Sequence, residues 1–308
     1  MLVAVTGATG FVGRHIVDVL IDRGHRVRAL VRDPRRLSVR PRATAEAVTG
    51  ALGESGALRA LVAGADAVIH LVGIIAERGS QTFGAVHVEG THAVVAAAAA
   101  AGCRRFVQMS AVGARDEPGA TPYHRTKRQG EAAVEAGGVP FAILRPSFIS
   151  GPGNVPIATL ARLHRRLPVV PVFGDARFPT QPVWVGDVAL AFARAAEGIG
   201  AGTLELGGAA PITYEEFVRA IGRASGHPRP LLHVPLPMVR LLARSFDFLG
   251  PAAPLTTHQL QMLVEGSDTP ANALERVFGI RPLGFEEGLR RYLSRETGHG
   301  KRETRGAL

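Results

Sequence analysis

The chain has 308 residues, 46% of them hydrophobic, and a formal net charge of +10. This length exceeds the needs of one compact layer, so we expect one domain with a large and a small lobe, or two domains. The single cysteine, Cys103, excludes an internal disulfide. The arginines are spread out without interleaved aromatic residues, and we therefore expect no nucleic-acid partner despite the positive charge.

The apolar segments are too short to suggest a membrane span. The most apolar of them, 93–102, is mostly alanine and about half as long as a spanning helix. With the first predicted strand starting at Leu2, we expect no signal peptide and a cytoplasmic location.

The chain opens with an apolar run, Leu2–Thr6, that has the composition of a buried strand. The sequence GATGFVG follows at residues 7–13 and leads into a predicted helix over 10–23. Glycines allow a tight turn and a close approach of the backbone to phosphates, and the helix N-terminus attracts the anion. The spacing is GxxGxxG, one residue longer than GxGxxG, but the order of strand, turn and helix predicts a dinucleotide pyrophosphate site.

Strands and helices alternate through the first half of the chain. The predicted strands are continuous apolar runs, which are typical of a parallel sheet covered on both faces. This pattern predicts an α/β fold with a doubly wound parallel sheet, whose ligand lies at the carboxyl edge. The further strands are predicted at 27–32, 47–49, 67–71, 105–109 and 141–145, and the helices at 57–63, 83–101 and 123–136.

The second half is rich in proline and glycine and predicts a smaller, mostly helical C-terminal lobe. We expect a dinucleotide-binding domain over 1–152, completed by about 183–206, then a lobe over 153–293 and a disordered tail over 294–308. The elements predicted here are strands at 182–185 and 203–206, a helix at 188–197, a helix capped by Thr213 and Glu216, and a helix opened by Thr269 and closed by Gly279.

One predicted helix, 237–250, is apolar on one face and carries Arg240 and Arg244. It fits a membrane surface or a partner helix, although packing within the small lobe is the favoured interpretation.

The sequence Tyr123-His124-Arg125-Thr126-Lys127 places a tyrosine and a lysine four residues apart, on one face of a predicted helix. A free tyrosine has a pKa of about 10, and a lysine ammonium together with an oxidised nicotinamide ring nearby would lower it. Tyr123 would then act as a general acid or base on an alcohol or carbonyl, with Lys127 as its partner.

With these motifs in place, the chain resembles the short-chain dehydrogenase/reductase superfamily, in its extended or atypical, epimerase/dehydratase-like branch. The resemblance covers residues 1 to about 210 and lies in TGATGFVG, GADAVIHLVG, RFVQMSAVGA, YHRTK, ILRPSFISGPGN and PVWVGDVALA. Segments 166–189 and 202–220 look most like relatives of the nucleotide-binding accessory subunit of respiratory complex I. The resemblance implies a nicotinamide dinucleotide between two lobes.

The resemblance also implies which residues contact the coenzyme. An arginine stands after Val31 where NAD-preferring members have an acid, so NADP is preferred over NAD. The implied contacts are Gly7, Thr9, Gly10, Phe11, Val12 and Gly13 at the pyrophosphate; Arg32 and Arg36, with Arg35 as an alternative, at the adenosine ribose; Ala51 and Leu52 at the adenine; and Leu71, Val72, Gly73, His87, Met109, Ser110, Tyr123, Lys127, Pro146 and Ile149 around the nicotinamide half.

The chain departs from the family at the substrate-orienting serine or threonine, which falls on Ala111. Ser110 lies one residue earlier, and such a shift turns the side chain to the other side of a strand. Ser110 is kept as a third catalytic candidate. We expect Asp187 to cap a helix and His70 to be a core residue, and the 11 histidines show no metal-ligand spacing, so no metal is expected.

Three functions remain open at this point. The first is an NADP-dependent oxidoreductase acting on a small, lipid-like or quinone-like carbonyl compound. The second is a weakly or non-catalytic NADP(H)-binding accessory protein in quinone metabolism or respiratory-complex assembly. The third is a sugar-nucleotide epimerase or dehydratase. Peripheral membrane contact, contact with a respiratory complex and a homodimer are candidate associations.

Overall fold

The computed structural model describes residues 1–37, 45–247 and 255–299. Within them, strands β1 to β13 run Leu2–Thr6, Arg26–Val31, Ala45–Thr49, Ala67–His70, Arg105–Met109, Phe141–Pro146, Ile149–Ser150, Val170–Phe173, Pro179–Thr180, Val183–Trp184, Gly202–Leu206, Ile212–Thr213 and Leu231–Val234. Helices α1 to α11 run Phe11–Asp22, Ser55–Val62, Gly90–Ala100, Pro122–Glu135, Val155–Arg166, Val185–Ala196, Tyr214–Ala224, Leu236–Asp247, Thr257–Glu265, Ala273–Arg276 and Phe285–His299. A 3₁₀ turn covers Pro34–Arg36, and a π-helical segment covers Gly84–Glu89.

Seven of these strands form one sheet in the order β11-β6-β5-β4-β1-β2-β3. Every pairing in it is parallel. The chain order reverses between β1 and β4, which is where ligands bind in a doubly wound sheet. The predicted fold class is therefore confirmed.

Two hydrophobic layers cover the sheet, as the continuous apolar strands require. One layer includes Val3 and Val5 with residues of α1 and α6, and the other includes Ala4 and Val68 with residues of α2 and α3. Alternate residues of β1 thus face opposite layers.

The C-terminal region has a hydrophobic core of its own, built from α5, β8, α7 and α11. A smaller cluster of Val239, Ala243 and Leu260 joins α8 to α9. The capping box of Thr213 and Glu216 at the start of α7 is confirmed. The division into 1–152 with 183–206 and 153–293 stays a prediction.

Several predicted elements are corrected by the structure. The predicted helix at 83–101 is a π-helical segment followed by α3. The helix expected to begin at Thr269 is the short α10, whose cap is Asn272. Asp187 lies in the first turn of α6 and accepts a hydrogen bond from Leu283 N–H at 2.8 Å, so it does not cap the helix. The strand expected at 182–185 is β10, which pairs with β7 outside the main sheet.

Helix α11 continues to His299, so the tail predicted from 294 begins within a helix. Residues 300–308 lie outside the described residues, as do residues 248–250 of the amphipathic segment. Across the described ranges, no helix combines the length and the apolar character needed to cross a membrane.

Candidate active site

The predicted site residues gather at the carboxyl edge of the main sheet. Gly7–Gly13 follow β1, Arg32 and Arg36 follow β2, and Ala51 and Leu52 follow β3. The remaining ones end or follow the central strands: Leu71, Val72 and Gly73 after β4, Met109 and Ser110 at the end of β5, Pro146 at the end of β6, and Ile149 in β7. Parallel strands bring these positions to one edge although they are far apart in sequence.

The glycine turn leaves room for an anion at the start of α1. Gly7 has φ +78°, and a side chain there would meet the backbone of Leu71 and Val72 at 3.2 Å. A Cβ on Gly13 would lie 2.1 Å from the carbonyl oxygen of Gly7, so the third glycine lets helix and turn pack closely. The helix has no side-chain cap and no acid in its first turn. The chemistry of this turn therefore fits a pyrophosphate.

Arg32 follows β2, and Arg36 ends the 3₁₀ turn beyond it; both are exposed. Neither guanidinium forms an ion pair with a described residue, although the charge of Arg36 contributes to lowering the pKa of Asp33. The nearby Asp33 carboxylate is already engaged. It accepts hydrogen bonds from the N–H of Arg35 at 3.1 Å and from its Nε at 3.0 Å, and it caps the 3₁₀ turn. The guanidinium of Arg35 holds the pKa of Asp33 below its ordinary value.

Tyr123 lies in the first turn of α4, after the N-cap Thr121. Its ring contacts those of Phe83, His87 and His124, with centroids 5.5 to 6.2 Å apart. Its side chain is partly exposed, and its hydroxyl makes no hydrogen bond to any described residue. Burial of the ring raises the pKa of Tyr123 to about 12. The lowering expected from Lys127 and an oxidised nicotinamide together stays a prediction.

Lys127 lies one helical turn beyond Tyr123 and is buried. Its Nζ donates a hydrogen bond to the carbonyl oxygen of Met109 at 2.5 Å. Burial lowers the pKa of Lys127 to about 8, while the charge of Glu131 acts in the opposite direction. A Cβ on Gly73 would lie 3.8 Å from Nζ, so the ammonium sits between the ends of β4 and β5.

His87 is held in one tautomer by two hydrogen bonds. Its Nε2 accepts from the N–H of Ile74 at 3.0 Å. Its Nδ1 lies 2.9 Å from the Thr126 hydroxyl, which itself donates to the carbonyl of Pro122. His87 Nδ1 is therefore the protonated nitrogen. Burial and the neighbouring Lys127 lower the pKa of His87 to about 3, so the ring is neutral.

Comparison with known proteins shows which family the chain is similar to. The NAD(P)H-binding family matches residues 7–165, just over half of the chain. Ceramide reductase of Caulobacter vibrioides is 43% identical over 180 residues, which cover 56% of this chain and 54% of that reductase. The (4-alkanoyl-5-oxo-2,5-dihydrofuran-3-yl)methyl phosphate reductase of Streptomyces griseus is 35% identical over 232 residues, 74% of this chain and 75% of that one.

The chain belongs to the NAD(P)H-binding short-chain dehydrogenase/reductase family. UDP-glucose 4-epimerase of Thermotoga maritima superposes with a TM-score of 0.76 over 98% of this chain and 100% of that one, at 18% identity. At that identity the likeness shows the fold alone. The family and its reductase relatives support an oxidoreductase, whereas the finer likeness to the complex I accessory subunit stays a prediction.

Within this short-chain dehydrogenase/reductase, Ser110 is badly placed for contact with a substrate. Its side chain is buried, and its hydroxyl has no hydrogen-bond partner among the described residues. Ala111 stands at the position that follows and is partly exposed. The hydroxyl of Tyr123 lies in a partly exposed side chain and stays the predicted contact of a substrate oxygen.

Two carboxylates near this site were not predicted from the sequence. Glu131 is fully buried and forms a bidentate ion pair with Arg145, at 2.7 and 2.6 Å. Glu265, at the end of α9, pairs with Arg115 at 2.9 Å and lies 3.5 Å from Nδ1 of His124. The position of Glu131, one turn after Lys127, is a sequence signal, but nothing local points to Glu265 because it is distant in the chain.

No group of three His, Cys, Asp or Glu side chains in the described parts of the chain is arranged to hold a metal ion. The buried His70 hydrogen-bonds to the hydroxyls of Thr6 at 2.6 Å and Thr91 at 3.3 Å, in agreement with a core residue. Burial lowers its pKa to about 3.

Proposed function

We propose that this protein is an NADP-dependent reductase of a carbonyl group on a small or lipid-like compound. The observation that carries the proposal is the state of Tyr123. Its hydroxyl has no hydrogen-bond partner among the described residues, and it stands one turn from Lys127. The phenol is protonated at neutral pH, as a tyrosine ordinarily is, and burial raises its pKa further, to about 12. A protonated phenol suits the reductive direction, in which the substrate oxygen must receive a proton.

In the proposed reduction, Tyr123 and Lys127 have separate roles. A reduced nicotinamide coenzyme, held through its pyrophosphate at the glycine turn, would supply the hydride for the carbonyl carbon. Tyr123 donates its hydroxyl proton to the carbonyl oxygen, so that an alcohol forms. The ammonium of Lys127 would stabilise the phenolate that is left.

His87 positions this pair. Through Thr126 it is joined to the first turn of α4, and through Ile74 to the loop after β4. Because its ring is neutral, it adds no charge that would compete with Lys127.

Arg32 and Arg36 support the choice of NADP. Their unpaired guanidinium groups suit a 2′-phosphate, whereas the carboxylate that would bind an unmodified ribose is absent and Asp33 is occupied by Arg35.

The two reductase relatives and an exposed apolar side chain support a substrate with an alkyl part. Ile75 is exposed in the loop after β4, beside the residue that holds His87. One relative is named for ceramide and the other for an alkanoyl compound.

A second function, an accessory protein that holds NADP(H) without rapid turnover, is favoured by one observation. Ala111 lacks the hydroxyl that would orient a substrate, and Ser110 does not replace it, because its Oγ is buried. A quinone-related or respiratory role belongs to this alternative.

Release and exchange of the coenzyme distinguish the two functions. Purified protein is denatured, the released nucleotide is identified, and native protein is mixed with labelled NADPH. The reductase predicts exchange within seconds and NADPH oxidation with a panel of ketones. Bound NADP(H) that neither exchanges nor is oxidised contradicts the reductase and supports the accessory function.

A further inference from the structure

Helix α8 has two apolar faces, and the protein core accounts for one of them. Val239 and Ala243 are buried against α9 and neighbouring residues. On the other side Met238, Leu241 and Leu242 are 57%, 70% and 51% exposed. Residues three and four apart share a helix face, so these three form one exposed apolar surface, which we call the α8 face.

The α8 face is bordered by positive charge. Arg240 and Arg244, one turn apart, project between the buried and the exposed apolar sides and are themselves exposed. Neither guanidinium has an ion-pair partner among the described residues. Packing of α8 within the protein does not require two unpaired arginines beside exposed leucines. The same arrangement is typical of helices that bind anionic lipid headgroups.

From this arrangement we infer that the α8 face docks on the surface of an anionic lipid bilayer. The apolar side chains enter the boundary between headgroups and acyl chains, and Arg240 and Arg244 contact the phosphates. The net charge of +10 acts in the same direction at longer range. A second copy of this chain fits less well, because a face-to-face pair would bring like charges of Arg240 and Arg244 together.

The α8 face also has a defined relation to the active site. α8 packs on α9. Two residues of α9 contact the loop ahead of Tyr123: Glu265 pairs with Arg115, and Nε2 of Gln261 donates a hydrogen bond to the carbonyl oxygen of Gly119 at 2.9 Å. Docking would therefore hold the catalytic edge close to the membrane. The inference stands whether or not the coenzyme is NADP and whether or not turnover is rapid.

Vesicle flotation tests the inference with the full chain. Wild-type protein is mixed with vesicles of phosphatidylcholine alone or of an equal mixture with phosphatidylglycerol, at low and at high salt. We expect flotation with the mixed vesicles, weaker flotation with phosphatidylcholine alone, and loss of binding as salt screens the charges. The double variant Leu241→Gln/Leu242→Gln should lower the bound fraction roughly tenfold.

The matched control is Ile199→Gln, which also changes an exposed apolar side chain, in the turn after α6. It should float like the wild type, and a circular dichroism spectrum checks that all variants fold. Arg240→Gln/Arg244→Gln should reduce binding to the mixed vesicles only. Absence of flotation, flotation unaffected by the double leucine variant, or a dimer in light scattering that this variant dissociates would each overturn the inference. NADPH binding is measured in parallel, so failure of docking is distinguishable from failure of the proposed function.

Discussion

Lys127 and Lys301 are the only lysines in the chain, although the sequence has 36 lysines and arginines in total. Arginine serves wherever a charge alone is needed, as in the ion pairs with Glu46, Glu131 and Glu265. Lysine differs in that burial lowers its pKa readily, and it presents a compact charge. The use of lysine at 127 therefore agrees with a role in chemistry.

The lowered pKa of Lys127 predicts that its amine loses its proton at a lower pH than a free lysine does. In protein without coenzyme, the amine should be protonated at pH 7 and become neutral through a midpoint near pH 8. Protein labelled with ¹⁵N-lysine has two side-chain signals, and Lys301→Arg identifies that of Lys127. Glu131→Gln should move the midpoint further down, because the Glu131 charge raises this pKa. A midpoint near that of free lysine, about 10.4, would show that the ammonium is not desolvated.

The free guanidinium groups of Arg32 and Arg36 predict coenzyme choice. Replacing both with alanine should weaken NADPH binding by roughly tenfold or more and leave NADH binding nearly unchanged, since only the 2′-phosphate is lost as a partner. Arg291→Ala is the control, because Arg291 pairs with Glu287 in α11 and is no candidate contact of the coenzyme. Fluorescence titration with both nucleotides provides the comparison. An equal loss for NADPH and NADH would argue against a 2′-phosphate contact.

The sequence predicts which residues are candidates for the site better than it predicts the pKa values of their side chains. Tyr123, Lys127 and the glycine turn could be proposed as site residues from the sequence because their spacing reflects local geometry. The raised pKa of Tyr123 could not be predicted, because it comes from burial of the ring among neighbours such as Phe83 and His87, which are distant in sequence. Such contacts depend on tertiary packing.

At the scale of elements, the π-helical segment Gly84–Glu89 determines where His87 points. α4 crosses it closely at Gly130, where a Cβ would lie 2.4 Å from the carbonyl oxygen of His87. The extra residue in a π turn re-aims the side chains of a helix, and such turns are common at functional sites. The periodicity of 83–101 predicted one regular helix, because one extra residue leaves little trace in an alanine-rich sequence.

The close crossing predicts the effect of Gly130→Ala. The added methyl group should displace His87 and destabilise the protein by about 1–3 kcal/mol, and it should weaken coenzyme binding as well. Gly56→Ala in α2 is the matched control, because its Cβ would meet no atom within 4 Å. That change should be neutral or stabilise by up to about 1 kcal/mol. Urea unfolding measures both, and equal effects of the two substitutions would exclude a steric role for Gly130.

At the scale of the whole molecule, α9 joins the small lobe to the catalytic edge. Arg115 bonds to the carbonyl of Gly113 at 3.1 Å and pairs with Glu265, so the loop ahead of Tyr123 is tied to α9. The sequence predicted the doubly wound parallel sheet correctly, because alternating strands and helices reflect the order of strands in such a sheet. It did not indicate this link, which joins residues about 150 positions apart.

Loss of the ion pair between Arg115 and Glu265 should change both the stability and the amide exchange of the protein. Glu265→Gln should lower the unfolding free energy by about 1 kcal/mol, since the pair is partly exposed, and speed amide exchange over 113–121. Glu287→Gln, which breaks a surface pair with Arg291, should change stability by less than about 0.5 kcal/mol and leave that exchange unaltered. Hydrogen exchange followed by mass spectrometry tests both, and unchanged exchange in Glu265→Gln would contradict a restraining role for α9.

The central claim is that Tyr123 delivers a proton to a carbonyl while the glycine turn holds the coenzyme. The most direct measurement compares NADPH oxidation by wild type and Tyr123→Phe on the same ketone panel, with NADPH titrations of both. We expect turnover to fall on the order of 10²- to 10⁴-fold in Tyr123→Phe while NADPH affinity is kept. Turnover that survives the substitution, or a wild-type protein that binds no nicotinamide coenzyme, would contradict it.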